Sequence, residues 1–93
     1  MITWGEPKRK QVINDHGIDF KKIEDIFDDP FAIHNDDQEQ SDSEEQLSII
    51  AKSGVYGLVA VVYTFRDEDI RYITARRAEK WMVNLYEKQR NRD

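Results

Sequence analysis

Gly57-Leu58-Val59-Ala60-Val61-Val62-Tyr63-Thr64-Phe65-Arg66, then Asp67-Glu68-Asp69, then Ile70-Arg71-Tyr72-Ile73-Thr74-Ala75, is the stretch that decides the fold. Its first part is rich in Val, Tyr, Thr and Phe, the β-branched and aromatic residues that suit a pleated surface, so Gly57–Arg66 reads as a long strand. Ile70–Ala75 mixes apolar residues with Thr and Tyr and reads as a second strand. The short Asp67-Glu68-Asp69 connection leaves room only for an antiparallel hairpin. Upstream, Gln46–Lys52 reads as a third strand, with Ser53-Gly54 as its turn into the hairpin. A meander follows.

Helices flank the meander in the sequence. Met1–Trp4 is a candidate edge strand, after which Glu6-Pro7 opens a helix, because proline at the start of a helix lacks only a hydrogen that would go unused. That helix is expected over Lys8–Asp15 and to stop at His16-Gly17, where glycine can take the left-handed conformation. Asp19 is a suitable N-cap for a second helix, Phe20–Phe27, with Phe20, Ile23, Ile26 and Phe27 spaced as a helical face. Pro30 closes it. Phe31–His34 reads as a short strand, and 35–45 as a mobile acidic loop. A last helix is expected from about Arg77 to Lys88, with Ala78, Trp81, Met82 and Leu85 as a stripe packed on the sheet and a frayed tail over 89–93. The whole is one α+β domain spanning 1–93, with helices segregated from a small antiparallel sheet.

Composition removes several function classes. The chain has 93 residues and no cysteine, so disulfides, thiolate metal sites and a cysteine nucleophile are excluded. The longest apolar run, Leu58–Phe65, is too short to span a membrane, and the expectation is a soluble cytoplasmic protein. No glycine-rich phosphate loop is present, and the acidic segment lacks the spacing of a calcium loop, so neither a cofactor nor a metal is expected.

The net charge of −5 conceals an asymmetry. From Asp15 to Glu45 twelve carboxylates face only Lys21 and Lys22; the remainder of the chain carries twelve basic and seven acidic residues. Lys8, Arg9 and Lys10 form one basic cluster. Arg66, Arg71 and Arg76 lie on the hairpin, where arginine's forked donors match phosphate oxygens; salt bridges to the neighbouring acids are the plainer reading of the same residues. Arg71 and Arg76 are five apart, so strict alternation places them on opposite faces unless the chain turns at Arg76. Histidine is the side-chain type suited to proton transfer near neutral pH, and His16 follows the basic cluster; it is also placed to cap a helix C-terminus. Trp4 is a candidate base-stacking residue or a core residue, and Trp81 reads as packing.

Taken in order, these residues resemble the BrnT family of toxins. The resemblance rests on Ile2-Thr3-Trp4, Glu6-Pro7-Lys8, Asn14, His16-Gly17-Ile18 and Phe20, then Ile26-Phe27-Asp28-Asp29-Pro30. It continues through Val61-Val62-Tyr63-Thr64, Arg66, Arg71, Ile73, Thr74-Ala75-Arg76-Arg77-Ala78 and Tyr86-Glu87. It implies a fold like that of the RelE ribonucleases and an endoribonuclease toxin that blocks translation. It also implies a ribbon-helix-helix antitoxin, BrnA-like, that carries the complex to operator DNA for autorepression, and toxin pairing within that complex. On this resemblance Arg66 and Arg76 are expected to clamp phosphate, Lys8 to add charge and His16 to carry a proton. Trp4 and Arg71 would contact RNA, in a metal-independent transesterification. The chain departs from the family pattern at Asp15, where a basic residue is common, at Gln46, where an arginine is often found, and at Met82, about where a glutamate is common; a catalytically silent protein-binding module is the alternative.

Overall fold

The computed structural model describes residues 1–37 and 46–91, with 38–45 and 92–93 outside the described set. Among the described residues five strands form one sheet in the order β1-β5-β4-β3-β2: β1 (Ile2–Thr3), β2 (Ile33–Asp37), β3 (Gln46–Ser53), β4 (Gly57–Arg66) and β5 (Asp69–Arg77). The pairings β2–β3, β3–β4 and β4–β5 are antiparallel, as the meander requires, while β1 adds to the β5 edge in parallel. The sheet is therefore mixed, and the α+β class holds. The α-helices α1 (Glu6–His16) and α2 (Lys80–Arg90) accompany it. Among the described residues no helix is long and apolar enough to cross a membrane.

Strand alternation divides the sheet into two faces. Ile49, Ala51, Val59, Val61, Tyr63, Tyr72 and Ala75 pack with Val12 of α1 and with Ile18, Phe20, Ile23 and Ile26. Tyr72 is the hub of this core. Its ring meets Trp4, Phe20 and Phe27 with centroids 5.5–6.4 Å away, and its hydroxyl donates to the Ile23 carbonyl at 2.9 Å. On the other face Ile50, Leu58 and Ala60 meet Met82 and Tyr86 of α2.

The segment expected as a helix over Phe20–Phe27 is instead two 3₁₀ turns, Phe20–Lys22 and Glu24–Asp28, broken at Ile23. Phe20, Ile23 and Ile26 recur every three residues, which aligns them on one face at three residues per turn. All three are fully buried. Asp19 caps the first turn as expected, accepting from the Lys21 amide at 3.0 Å.

The short strand expected over Phe31–His34 is displaced to Ile33–Asp37, so the first residues of the acidic segment pair with β3 rather than forming a loop. The rest of that segment lies outside the described residues. The helix expected from Arg77 begins only at Lys80, because β5 stays paired through Arg77 opposite Val59 and the Ala78 amide donates to the Leu58 carbonyl at 3.1 Å. Of the stripe expected to pack, Met82 is buried, but Trp81 and Leu85 are 56% and 40% exposed; Tyr86 is the second anchor. The helix also continues through Gln89 and Arg90, where fraying was expected. Gly17 ends α1 as expected, with φ +70° and its amide on the Ile13 carbonyl at 2.9 Å.

Candidate functional site

The second sheet face is only partly covered by α2. A groove of about 880 Å³ remains between α1, the exposed parts of β3, β4 and β5, and the start of α2. Its lining includes Lys8 and His16 from α1, Gln46 and Ser48 from β3, Val62 from β4, Thr74 and Arg76 from β5, and Trp81. Lys8 and His16 are eight apart on α1, about two turns, and flank Val12, the residue that α1 buries. Burying Val12 therefore fixes the side of α1 from which Lys8 and His16 reach the groove. Both are exposed.

Arg76 reaches this groove because β5 carries an extra residue. Val62 pairs with Thr74 and Tyr63 with Tyr72, which leaves Ile73 unopposed. An inserted residue reverses the alternation on one side of itself. Arg71 therefore lies opposite Thr64 and Arg76 opposite Ala60, two β4 positions of equal parity. The expectation of opposite faces fails for this reason, and no turn at Arg76 is needed. The Arg76 guanidinium is half exposed and pairs with Glu79 (Nη1 to Oε2, 3.1 Å).

The other candidates are placed elsewhere. Arg66 is exposed at the hairpin end, opposite Asp69, and is not among the groove residues. Six β4 positions separate it from the partner of Arg76, about 20 Å of strand, so the two arginines address different parts of any extended ligand. Arg71 is half-buried beside the start of α1, where a Cβ on Gly5 would stand 3.2 Å from its Nη2. Trp4 is half-buried in the core stack, and its indole donates to Glu6 at 3.1 Å. Trp81, read from sequence as packing, is the tryptophan that lines the groove. Its exposure depends on the rotation of α2, which the apolar stripe alone does not reveal.

Arg9, a member of the N-terminal basic cluster, is committed to structure. Its Nε and Nη2 hold both oxygens of Asp19, at 2.8 and 3.0 Å, and its Nη1 reaches Glu6 at 3.0 Å. The hydrogen bond from Arg9 holds the Asp19 carboxyl below the usual carboxylate range, against the opposing effect of burial. Sequence proximity made Lys8, Arg9 and Lys10 one patch, but only Lys8 of the three lines the groove. Asp29 is a second fixed carboxylate. It accepts from the amides of Phe31 and Lys52, both at 2.9 Å, and from the Tyr86 hydroxyl at 2.7 Å. Burial pushes it up, but these three donors outweigh burial and hold it below the usual range. Among the described residues no three His, Asp or Glu side chains converge as a metal site would require.

Chemically, the groove offers two cations and an imidazole over a floor of small, polar and aliphatic residues. Such a surface fits a polyanion with polar edges better than an apolar ligand. A search of curated proteins gave no match. The crystal structure of the Brucella abortus ribonuclease toxin BrnT is similar, with 26% sequence identity and a TM-score of 0.65 over 85% of this chain and 96% of that one. The family model for the ribonuclease toxin BrnT of type II toxin–antitoxin systems matches residues 4–81, and the chain belongs to that family.

Proposed function

We propose that this protein is an endoribonuclease toxin that cleaves RNA by metal-independent transesterification in the groove, and that a ribbon-helix-helix antitoxin neutralises it. The observation that carries this reading is the meeting of Lys8, His16 and Arg76 in one groove, drawn from α1 and from β5. RNA supplies its own nucleophile. The 2′-oxygen attacks the adjacent phosphorus, the bond to the 5′-oxygen breaks, and the products are a 2′,3′-cyclic phosphate and a 5′-hydroxyl. The 2′-hydroxyl proton must leave and the 5′-oxygen must gain one; His16 is the residue proposed to carry a proton. Negative charge builds on the non-bridging oxygens, and Arg76 and Lys8 are aimed donors for it. Glu79 holds the Arg76 guanidinium in place before RNA arrives. Arg66 and Arg71 lie outside the groove lining and serve as contacts to neighbouring phosphates. The antitoxin is proposed to carry the complex to its operator DNA for autorepression, with two toxins pairing in that complex.

The test is incubation with a long mixed-sequence RNA in EDTA, beside Arg76→Ala purified identically. Cleavage by the wild type and loss of about 100- to 1,000-fold in the variant is the expected result. Equal cleavage by both would remove Arg76 from the site. No cleavage by either, together with growth unaffected by induced expression, would favour the silent binding module.

A further inference from the structure

The geometry points to Trp81 as the platform on which an RNA base stacks when a phosphate is held by Arg76. This inference rests on the ribonuclease reading and extends it from the phosphate to the base. Among the described residues Trp81 is the only Phe, Tyr or Trp that lines the groove, and it is 56% exposed. An indole so open to water at the start of a helix gains little from packing; a flat ligand covering one face would recover that apolar surface. Its orientation is not left to chance. The Trp81 Nε1 donates to Glu79 Oε1 at 3.0 Å, while Glu79 Oε2 accepts from Arg76 Nη1 at 3.1 Å. One carboxylate thus ties the indole and the guanidinium together at the end of β5. A base and its own phosphate are joined through a sugar, so a stacking ring and a phosphate donor that act on one nucleotide must be fixed relative to each other in this way. Stacking is tolerant of sequence, because every base has a π-face.

Leu85, one turn further along α2, is also exposed, and a protein partner seated on both residues is the competing occupant. The cations decide in favour of RNA: Lys8 and Arg76 line the same groove as Trp81, whereas Leu85 does not.

The experiment uses the full chain carrying Trp4→Phe, so that Trp81 is the only indole. The probes are a mixed-sequence 2′-O-methyl oligoribonucleotide, which lacks the nucleophile and is not cut, and an abasic oligonucleotide of the same length. Binding is followed by anisotropy of end-labelled probes, and stacking by quenching of indole fluorescence with unlabelled ones. The base-bearing probe should quench Trp81 on binding, and the abasic probe should bind without quenching. Trp81→Ala should weaken the base-bearing probe by about 5- to 20-fold and leave the abasic probe unchanged, with Trp81→Phe recovering most of the loss. Binding without quenching, or equal weakening of both probes, overturns the stacking role while leaving the ribonuclease reading intact. Unchanged RNA affinity with loss of antitoxin binding in Trp81→Ala would overturn it too, by assigning the indole to a protein interface. Failure of both probes to bind would overturn both readings together.

Discussion

Substituting Tyr86→Phe and Asp29→Ala, singly and together, should expose how α2 is held on the sheet and hence how the groove keeps its wall. Only Met82 and Tyr86 of α2 are buried, at 5% and 4% exposure. Their apolar burial is worth about 2 kcal/mol each, little against the entropy of ordering an eleven-residue helix. The hydrogen bond from Tyr86 to Asp29, at 2.7 Å, therefore matters more than a single bond usually does. Its acceptor is charged but not fully buried, so water compensates in part, and Tyr86→Phe should cost about 1–1.5 kcal/mol. Asp29→Ala deprives three donors at once and should cost about 3 kcal/mol. In the double variant the Tyr86 bond is removed only once, so the coupling energy should be about 1 kcal/mol. Urea unfolding followed by far-UV circular dichroism reads all four proteins, and each 1 kcal/mol should also move Tm by about 4–8 °C. A coupling below about 0.3 kcal/mol, the ordinary error of additivity, would refute the claim that this bond secures α2.

Three further outcomes are expected. Asp19 and Asp29 are held below the ordinary carboxylate range, so the folded protein binds fewer protons than the unfolded chain in acid. Their stabilisation is complete above about pH 4 and is lost as pH falls through their folded values; Tyr86, pushed up to about 12 by burial and by Asp29, contributes below about pH 10 and stops doing so as pH rises toward 12. Denaturant midpoints between pH 2 and 12 would check both limbs, and a flat acid limb that is unaltered in Asp29→Asn would contradict the first. Gly17→Ala should destabilise by about 1 kcal/mol through its φ of +70°, with Gly17→Asn milder, as unfolding curves would register. Gly5→Ala should displace the Arg71 guanidinium, whose Nη2 lies 3.2 Å from the new methyl position. Because a flexible arm can yield, stability should change by less than about 1 kcal/mol, while oligonucleotide affinity falls a few-fold if Arg71 touches RNA. Unchanged affinity would remove it from the interface.

Local chemistry was legible in the sequence. The hairpin, the strand before it, Pro7 and Gly17 at the ends of α1, and Asp19 as a cap all follow from conformational preferences that act within a few residues. The ordered motifs from Trp4 to Arg76 carried the family as well, because they lie in one linear register. The interruption at Ile23 was harder to see, since Phe20, Ile23 and Ile26 fit both a 3.6-residue and a three-residue period over so short a span.

Side-chain direction was decided only by the tertiary structure. The bulge at Ile73 arises from pairing between β4 and β5, and it reverses which face the later residues of β5 occupy. The placement of the two tryptophans has the same origin. Trp4 enters the core because β1 joins the β5 edge across 68 positions of sequence, and Trp81 stays out because Met82 and Tyr86 set the rotation of α2. Arg9 and Lys8 are neighbours in the chain, yet Asp19 takes one and the groove keeps the other. Periodicity tells which residues share a face; only packing against distant partners tells which face meets solvent, and the candidate site consists of residues on the face that packing left open.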